Sequence, residues 1–493
     1  MSLLLATLFA WLFHEEGIGY NLLVYEVAAL AILWSIDRPQ ITVVSGVVLS
    51  GTLLSAIAIA LHGSTLAIWV NLISVIVLAG VLLAPKLNAV NYAFVLGIGN
   101  VLRAQRAFVR SFEQGPVGRR LPGFHRRTVV GLLVVAMISW AFSKIYQASN
   151  PHFDQLVTDV GVSMAAFFDQ FDLALMGTFL FGLAVSNFIL QRNRNENIPL
   201  WMARSNDQLF RRRQKPSRVI LGLRYELRTG VLLLGILNLL LLIANFLDLK
   251  HVWFGFTFNG QYLKQFVHEG TVLLILSIVF GAGIVLYFFR ANQNFHRGNR
   301  TLKILAYIWL AQNALLAASV GMRNFWYIQH YALAYKRIGV MFFLLACLLG
   351  LFLVFRRVHA ARSNHYLFRW QAYGTYVILV LLACFDLDVL IARYNFSARD
   401  HAFVHLDFLA TLDDKALPWL IQDATTLKEI DLNNQKILND TSNYDRTLYM
   451  TPQEYLNKIA ERKEEFINSY PKLSWKSQTL ADSRAYDSLA GSE

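Results

Sequence analysis

Cysteine is nearly absent from this 493-residue chain, which has only Cys347 and Cys384. Both fall inside apolar runs, so neither a disulfide framework nor a cysteine-ligated metal site is indicated. Proline is scarce as well, at ten residues, and almost none interrupts an apolar run. That weighs against the broken helices that meet at the midplane of many transporters. Charge is low: 16% of residues are charged, against about 25% in an average chain. There is no GxSxG, no phosphate-binding glycine loop and no paired carboxylates at a recognisable spacing. No catalytic residue, cofactor or metal is therefore expected, and enzyme activity is unsupported. The opening MSLLLATLFAWLFHEEG lacks the basic n-region and small-residue cleavage site of a signal peptide. It is expected to be a retained short helix.

What the chain has is apolar and aromatic surface: 56% hydrophobic residues, 13% aromatic, and a mean hydropathy of +0.42. This composition predicts an integral membrane protein, with aromatic rings at its many membrane–water boundaries. The net charge of +13 lies mostly in short loops between apolar runs, where it sets orientation. No reader motif accompanies it, so nucleic acid is not an expected partner.

Eleven apolar runs are candidate spans: Ser2–Phe13, Tyr20–Ile36, Ile41–Leu61, Thr65–Ala84, Val129–Tyr146, Leu173–Leu190, Thr229–Phe246, Gly270–Phe289, Leu302–Met322, Ile338–Phe355 and Ala372–Ile391. Val90–Leu102 and Phe153–Phe168 read instead as interfacial amphipathic helices. Basic connections alternate with poorly basic ones, except that the last poorly basic loop, Arg323–Arg337, carries three bases. The positive-inside rule then puts the N-terminus in the cytoplasm and the C-terminal tail outside. The tail from Asn395 has 11 basic and 16 acidic residues and reads as a small helical domain. Thr451-Pro452-Gln453-Glu454 is a helix start with an N-cap Thr, a first-turn Pro and a Glu three residues on. That helix should bury Tyr455, Ile459 and Phe466 and end before Pro471. A second short helix is expected around Leu406–Leu412, stopping near Pro418.

Mapped on this topology, His268, Glu269, Arg323, Asn324, Lys336, Arg337, Asp386 and Asp388 share one depth, at the outer membrane boundary. Ionisable groups there are costly and normally paired. They are the candidate ligand-binding residues, and the simpler competing reading is an ion-pair network that locks helix ends. Within the bilayer, Glu26 should face protein or water, and Gln312 and Asn313 can bridge helices. Arg290, Asn292, Asn294, His296 and Arg300 form a tight cytoplasmic turn. Its bases, like Arg211-Arg212-Arg213 with Lys215, suit anionic lipid headgroups, and its asparagines suit turns and caps. His401 and His405 with Asp407 have helical ligand spacing, but no HExxH arrangement, and read better as a helix face than as a metal site.

The strings VHEGT, LYFFRANQNF, LKILAYIWLAQNALL and RNFWYIQHYALAYKRIGV resemble an uncharacterised family of bacterial polytopic membrane proteins, known only as a domain of unknown function. The resemblance covers roughly Val129 to the C-terminus, and HEGT and YKRIGV are its most specific parts. It implies the bacterial cytoplasmic (inner) membrane and carries over no catalytic or binding residue.

The expected fold is thus all-α: a polytopic integral-membrane helix bundle of about 11 spans with a small C-terminal extracytoplasmic helical domain. Residues 1–128 would form N-terminal hairpins and a basic cytoplasmic segment, 129–393 the core bundle, and 394–493 the tail. The expected function is to bind or relay an envelope ligand, lipid or partner protein through the outer polar cluster and tail. The alternative is a transporter or flippase with a polar pathway past Glu26. Expected partners are the bilayer, anionic lipids at the basic cytoplasmic loops, and an envelope protein at the tail.

Overall fold

A computed structural model describes residues 1–36, 41–84, 89–114, 172–190, 206–211, 223–255, 260–440 and 450–491, with isolated positions between 135 and 158. Among these residues there are α-helices and short 3-10 or π turns and no strand, apart from one isolated bridge between Gln208 and Arg362. The helices are α1 (Ser2–Phe13), α2 (Tyr20–Ile36), α3 (Val43–His62), α4 (Thr65–Leu83), α5 (Val90–Gln114), α6 (Leu173–Leu190), α7 (Leu223–Asp248), α8 (Gly260–Phe288), α9 (Arg300–Tyr331), α10 (Tyr335–His359), α11 (Asn364–Ala383) and α12 (Leu387–Ser397). In the C-terminal segment follow α13 (Leu406–Leu409), α14 (Leu417–Leu420), α15 (Ala424–Asp440), α16 (Pro452–Ser469) and α17 (Leu480–Ala490).

Among the described residues, six helices are long and apolar enough to cross a membrane: α3, α4, α6, α7 with its π turn to Phe254, α9 and α10. The expected last span, Ala372–Ile391, is broken instead. The chain bends by 67° between α11 and α12, and Asp386 caps the new helix by accepting from Val389 N at 3.2 Å. Of the other four expected spans, Ser2–Phe13, Tyr20–Ile36 and the apolar part of α8 from Leu273 are shorter apolar helices. Val129–Tyr146 and the expected Phe153–Phe168 helix lie almost wholly outside the described residues.

Helix ends also differ from the expected ones. The run Leu302–Met322 belongs to a 32-residue helix that continues past Arg323, because that arginine is neutralised within the protein. The expected loop Arg323–Arg337 shrinks to Ala332–Ala334. The Val90 helix runs on to Gln114 and packs between α4 and α6. Pro418 opens α14 rather than ending a helix, as suits its fixed φ and missing N–H. The Thr451 start is as read: Thr451 and Glu454 form a reciprocal capping box, and Tyr455, Ile459 and Phe466 are buried.

Packing divides into linked cores. Leu5, Phe9, Leu12, Tyr25 and Ala29 join α1 to α2 and α6. A second core ties α3, α4 and α5 to Tyr376, Val380 and Ala383 of α11. A third fills the space among α7, α8, α9 and α10. The C-terminal segment shares its core with the bundle, since Ile338, Leu382, Ile391 and Phe396 pack with Leu409, Leu417, Leu427, Tyr455 and Leu489.

Candidate functional site

The candidate residues fall into separate groups, most of them at or near the end of the bundle that carries the C-terminal segment. The most buried centre is Lys415, whose side chain is 1% exposed. It lies in a 3-10 turn, Asp414–Ala416. Its Nζ pairs with Asp388 at 3.1 Å and Asp413 at 3.0 Å, and donates to the His62 carbonyl at 2.8 Å. These partners come from α12, from the C-terminal segment itself and from the end of α3. An ammonium has three N–H donors, so all of them are used. Burial opposes its charge, but Asp413, Asp388 and Asp386 outweigh that and push the Lys415 pKa above its ordinary range. Asp388 also accepts from the Tyr335 hydroxyl at the start of α10. One lysine therefore fastens the C-terminal segment to α3 and α12, and Asp388 links it on to α10.

A second pair joins Arg323 of α9 to Asp248 at the end of α7, both buried. It terminates a polar seam. Asn238 donates to the Leu305 carbonyl at 3.0 Å, Gln312 donates to Asn238 Oδ1 at 2.9 Å, and Asn245 donates to the Gln312 carbonyl at 3.1 Å. Trp326 donates to the Val252 carbonyl at 2.9 Å. Partners advance together along both chains, so α7 and α9 run parallel. Gln312 thus bridges helices as expected, whereas Asn313 donates within its own helix, to Trp309 O at 2.7 Å.

A third group closes the short loop after α9. Arg337 Nη1 donates to the Tyr331 and Ala332 carbonyls, and its guanidinium lies 4.4 Å from the Tyr327 ring centroid. Asn324 donates to the Arg337 carbonyl at 3.0 Å. Asn395 grips Leu333 from both sides, accepting from its N–H at 2.7 Å and donating to its carbonyl at 3.0 Å. Ala332 has φ +61° and ψ −169°, a region almost reserved for glycine, which persists only where surroundings enforce it. Lys336 is exposed and makes no ion pair among the described residues. His268 and Glu269 lie on α8, where their side chains are outside the described residues.

Glu26 lies six residues into α2, whose start is hydrogen-bonded to the C-terminal segment through Tyr20 and Gln478; it is 5% exposed and its Oε2 has no hydrogen-bond partner. Arg290 pairs with Glu226 at 2.8 Å, within a turn whose Asn292, Gln293 and Asn294 are buried. His401 and His405 do not share a helix, because the chain is irregular before α13. No three potential metal ligands gather among the described residues.

Lys415 and Asp248 were not singled out from the sequence. A lysine beside Asp413 and Asp414 reads as solvated. Asp248 was detectable, since Gly230, Leu234, Asn238, Leu241, Asn245 and Asp248 form one buried stripe at helical spacing.

Long apolar helices, buried ion pairs at one end and a helical segment fastened across that end define a multi-pass membrane protein. The family model described as Domain of unknown function (DUF4153) matches residues 49–422, and the chain belongs to that family. The match starts earlier and ends earlier than the strings quoted above indicated. No curated protein and no solved structure matches the chain.

Proposed function

We propose that this protein binds an envelope ligand, lipid or partner protein at the outer boundary of the bacterial cytoplasmic membrane and relays that occupancy to its bundle. The observation that carries this reading is Lys415, which holds the C-terminal segment to α3 and α12 at once. A movement of the segment must break that buried contact or drag both helices with it. Because Lys415 has no free donor, the ligand belongs on the exposed side, where Lys336 stands unpaired among the described residues. The full arrangement includes about 11 crossings, a cytoplasmic N-terminus and an extracytoplasmic C-terminal domain, with anionic lipids at the basic cytoplasmic loops. It is supported by the alternation of basic loops.

The test is extraction into lipid nanodiscs, then mass spectrometry of what accompanies wild type and Lys336→Gln, an exposed change that spares the core. A lipid or protein recovered with wild type and lost from the variant is the expected result. Identical material with both overturns recognition at Lys336. Orientation is read separately, by labelling Ser474→Cys, in a background lacking Cys347 and Cys384, with an impermeant maleimide on intact cells.

The transporter or flippase reading is favoured by one observation, the buried carboxyl of Glu26 with an unpartnered oxygen. Intramembrane acids commonly mark pathways. Counterflow in proteoliposomes that is lost in Glu26→Gln would support it.

A further inference from the structure

Glu26 lines a cavity of about 20 Å³ between α2, α3 and α4, walled by Leu30, Thr52, Leu78 and Leu82, with Ile189 of α6 beside them. Its Oε2 is buried there without a hydrogen bond. The polar neighbours are committed elsewhere. The Thr52 hydroxyl donates to Val48 O at 2.9 Å. Asn71 hydrogen-bonds the Glu26 carboxyl but also gives its N–H groups to Thr52 O at 3.4 Å and Ser55 Oγ at 3.2 Å, and Oε2 stays without a partner. No arginine, lysine or histidine pairs with Glu26 among the described residues. A buried acceptor left without a donor costs about 1–3 kcal/mol.

Leu30, Leu78 and Leu82 also line a second, adjacent pocket of about 280 Å³, which runs along α2 to Trp34 and Ile41. Its wall is apolar except for Ser45, whose hydroxyl is held in the capping box with Thr42. The site therefore offers one carboxyl at one end and an apolar trough beyond it. An alkyl chain suits the trough, and a hydroxyl, which both donates and accepts, suits the carboxyl.

We propose that this is a binding site for a long-chain amphiphile whose sole polar group is a donor, a hydroxyl or an amine, held by Glu26 Oε2. A carboxylate or phosphate head is rejected, because its charge would be buried beside Glu26 with no cation to pair it. The site is independent of recognition at Lys336, since it lies in the helices and not in the C-terminal segment; it shares Glu26 with the transporter reading, and labelling without counterflow separates the two.

The test uses the full chain in nanodiscs and a diazirine-bearing long-chain alcohol, with peptide mapping after photolysis. Labelling should map to α2, α3 and α4. Hexadecanol or hexadecylamine should compete at least about ten-fold better than hexadecanoate, which corresponds to about 1.4 kcal/mol. Glu26→Leu should erase that preference while retaining labelling, and Leu30→Trp, which fills the shared wall, should abolish labelling. Thermal stability of each variant is measured alongside, and either variant suffices if the other fails to fold. Equal competition by hexadecanoate in wild type, or label spread evenly over lipid-facing helices, overturns the proposal.

Discussion

Lys415 Nζ and Asp388 Oδ2 lie 3.1 Å apart in an almost dry setting, with the lysine side chain 1% and the aspartate side chain 9% exposed. The lysine belongs to the C-terminal segment and the aspartate to the helix that follows the bent membrane helix. Their contact, together with the Tyr335 hydroxyl and the His62 carbonyl, brings four separate stretches of chain to one point.

Removing one member of this pair leaves an uncompensated buried charge. Lys415→Met or Asp388→Asn should each lower stability by about 3–5 kcal/mol. The double variant should lose less than the sum, with a coupling of about 1–3 kcal/mol. Unfolding in detergent, run as a double-mutant cycle, reads both numbers.

The same lysine sets a response to alkali. Its folded pKa is raised, so its contribution is fully present below the unfolded lysine value of about 10.4 and is lost as pH rises through the folded value. Thermal unfolding followed from neutral pH upward should stay flat on this account until pH passes that value and then fall. Lys415→Met should remove the alkaline step.

Arg323–Asp248 and Lys415–Asp388 are distinct pairs on different helices, not one outer cluster. Arg323→Gln and Asp388→Asn should therefore add to within about 0.5 kcal/mol in detergent unfolding. A larger coupling would mean that the two pairs form one network.

Helices α4 and α5 approach so closely that two glycines are required. A Cβ at Gly80 would stand 1.8 Å from the Ala93 carbonyl oxygen, and one at Gly97 2.0 Å from that of Ile76. Both obstacles are backbone, which cannot swing aside. Gly80→Ala and Gly97→Ala should each destabilise by about 1–3 kcal/mol, in the range of overpacked cores. Cysteine crosslinking between α4 and α5 should weaken in parallel.

Ala332 makes the opposite case. Its backbone is strained, and Arg337 and Asn395 hold it in place. Ala332→Gly should raise the unfolding temperature, for a gain of about 1 kcal/mol. Asn395→Ala should lower it, because it leaves two polar groups of Leu333 unpaired.

Much was legible in the chain itself because membrane insertion and helix capping are local. The apolar runs beginning at Thr65, Leu173 and Leu302 need only length and hydropathy to be recognised, and the Thr451–Glu454 box needs only four residues in order. The α7 seam was readable in part, since Asn238, Asn245 and Asp248 recur at helical spacing. What the local pattern could not supply was partner choice. Arg323 read as a helix end because a charged group in an apolar run is costly, and only the approach of Asp248, 75 residues away, removes that cost. Lys415 carries no local sign of burial, since two aspartates precede it. Only the folding of the C-terminal segment onto α3 and α12 strips its water and supplies two of its three acceptors. The sequence by itself determined an all-helical protein with membrane-length apolar helices, because hydrophobicity and backbone hydrogen bonding act over a few turns. The tertiary structure alone decided which charges meet, where the last apolar run bends and which carboxyl is left unpartnered, because those depend on residues brought together from distant parts of the chain.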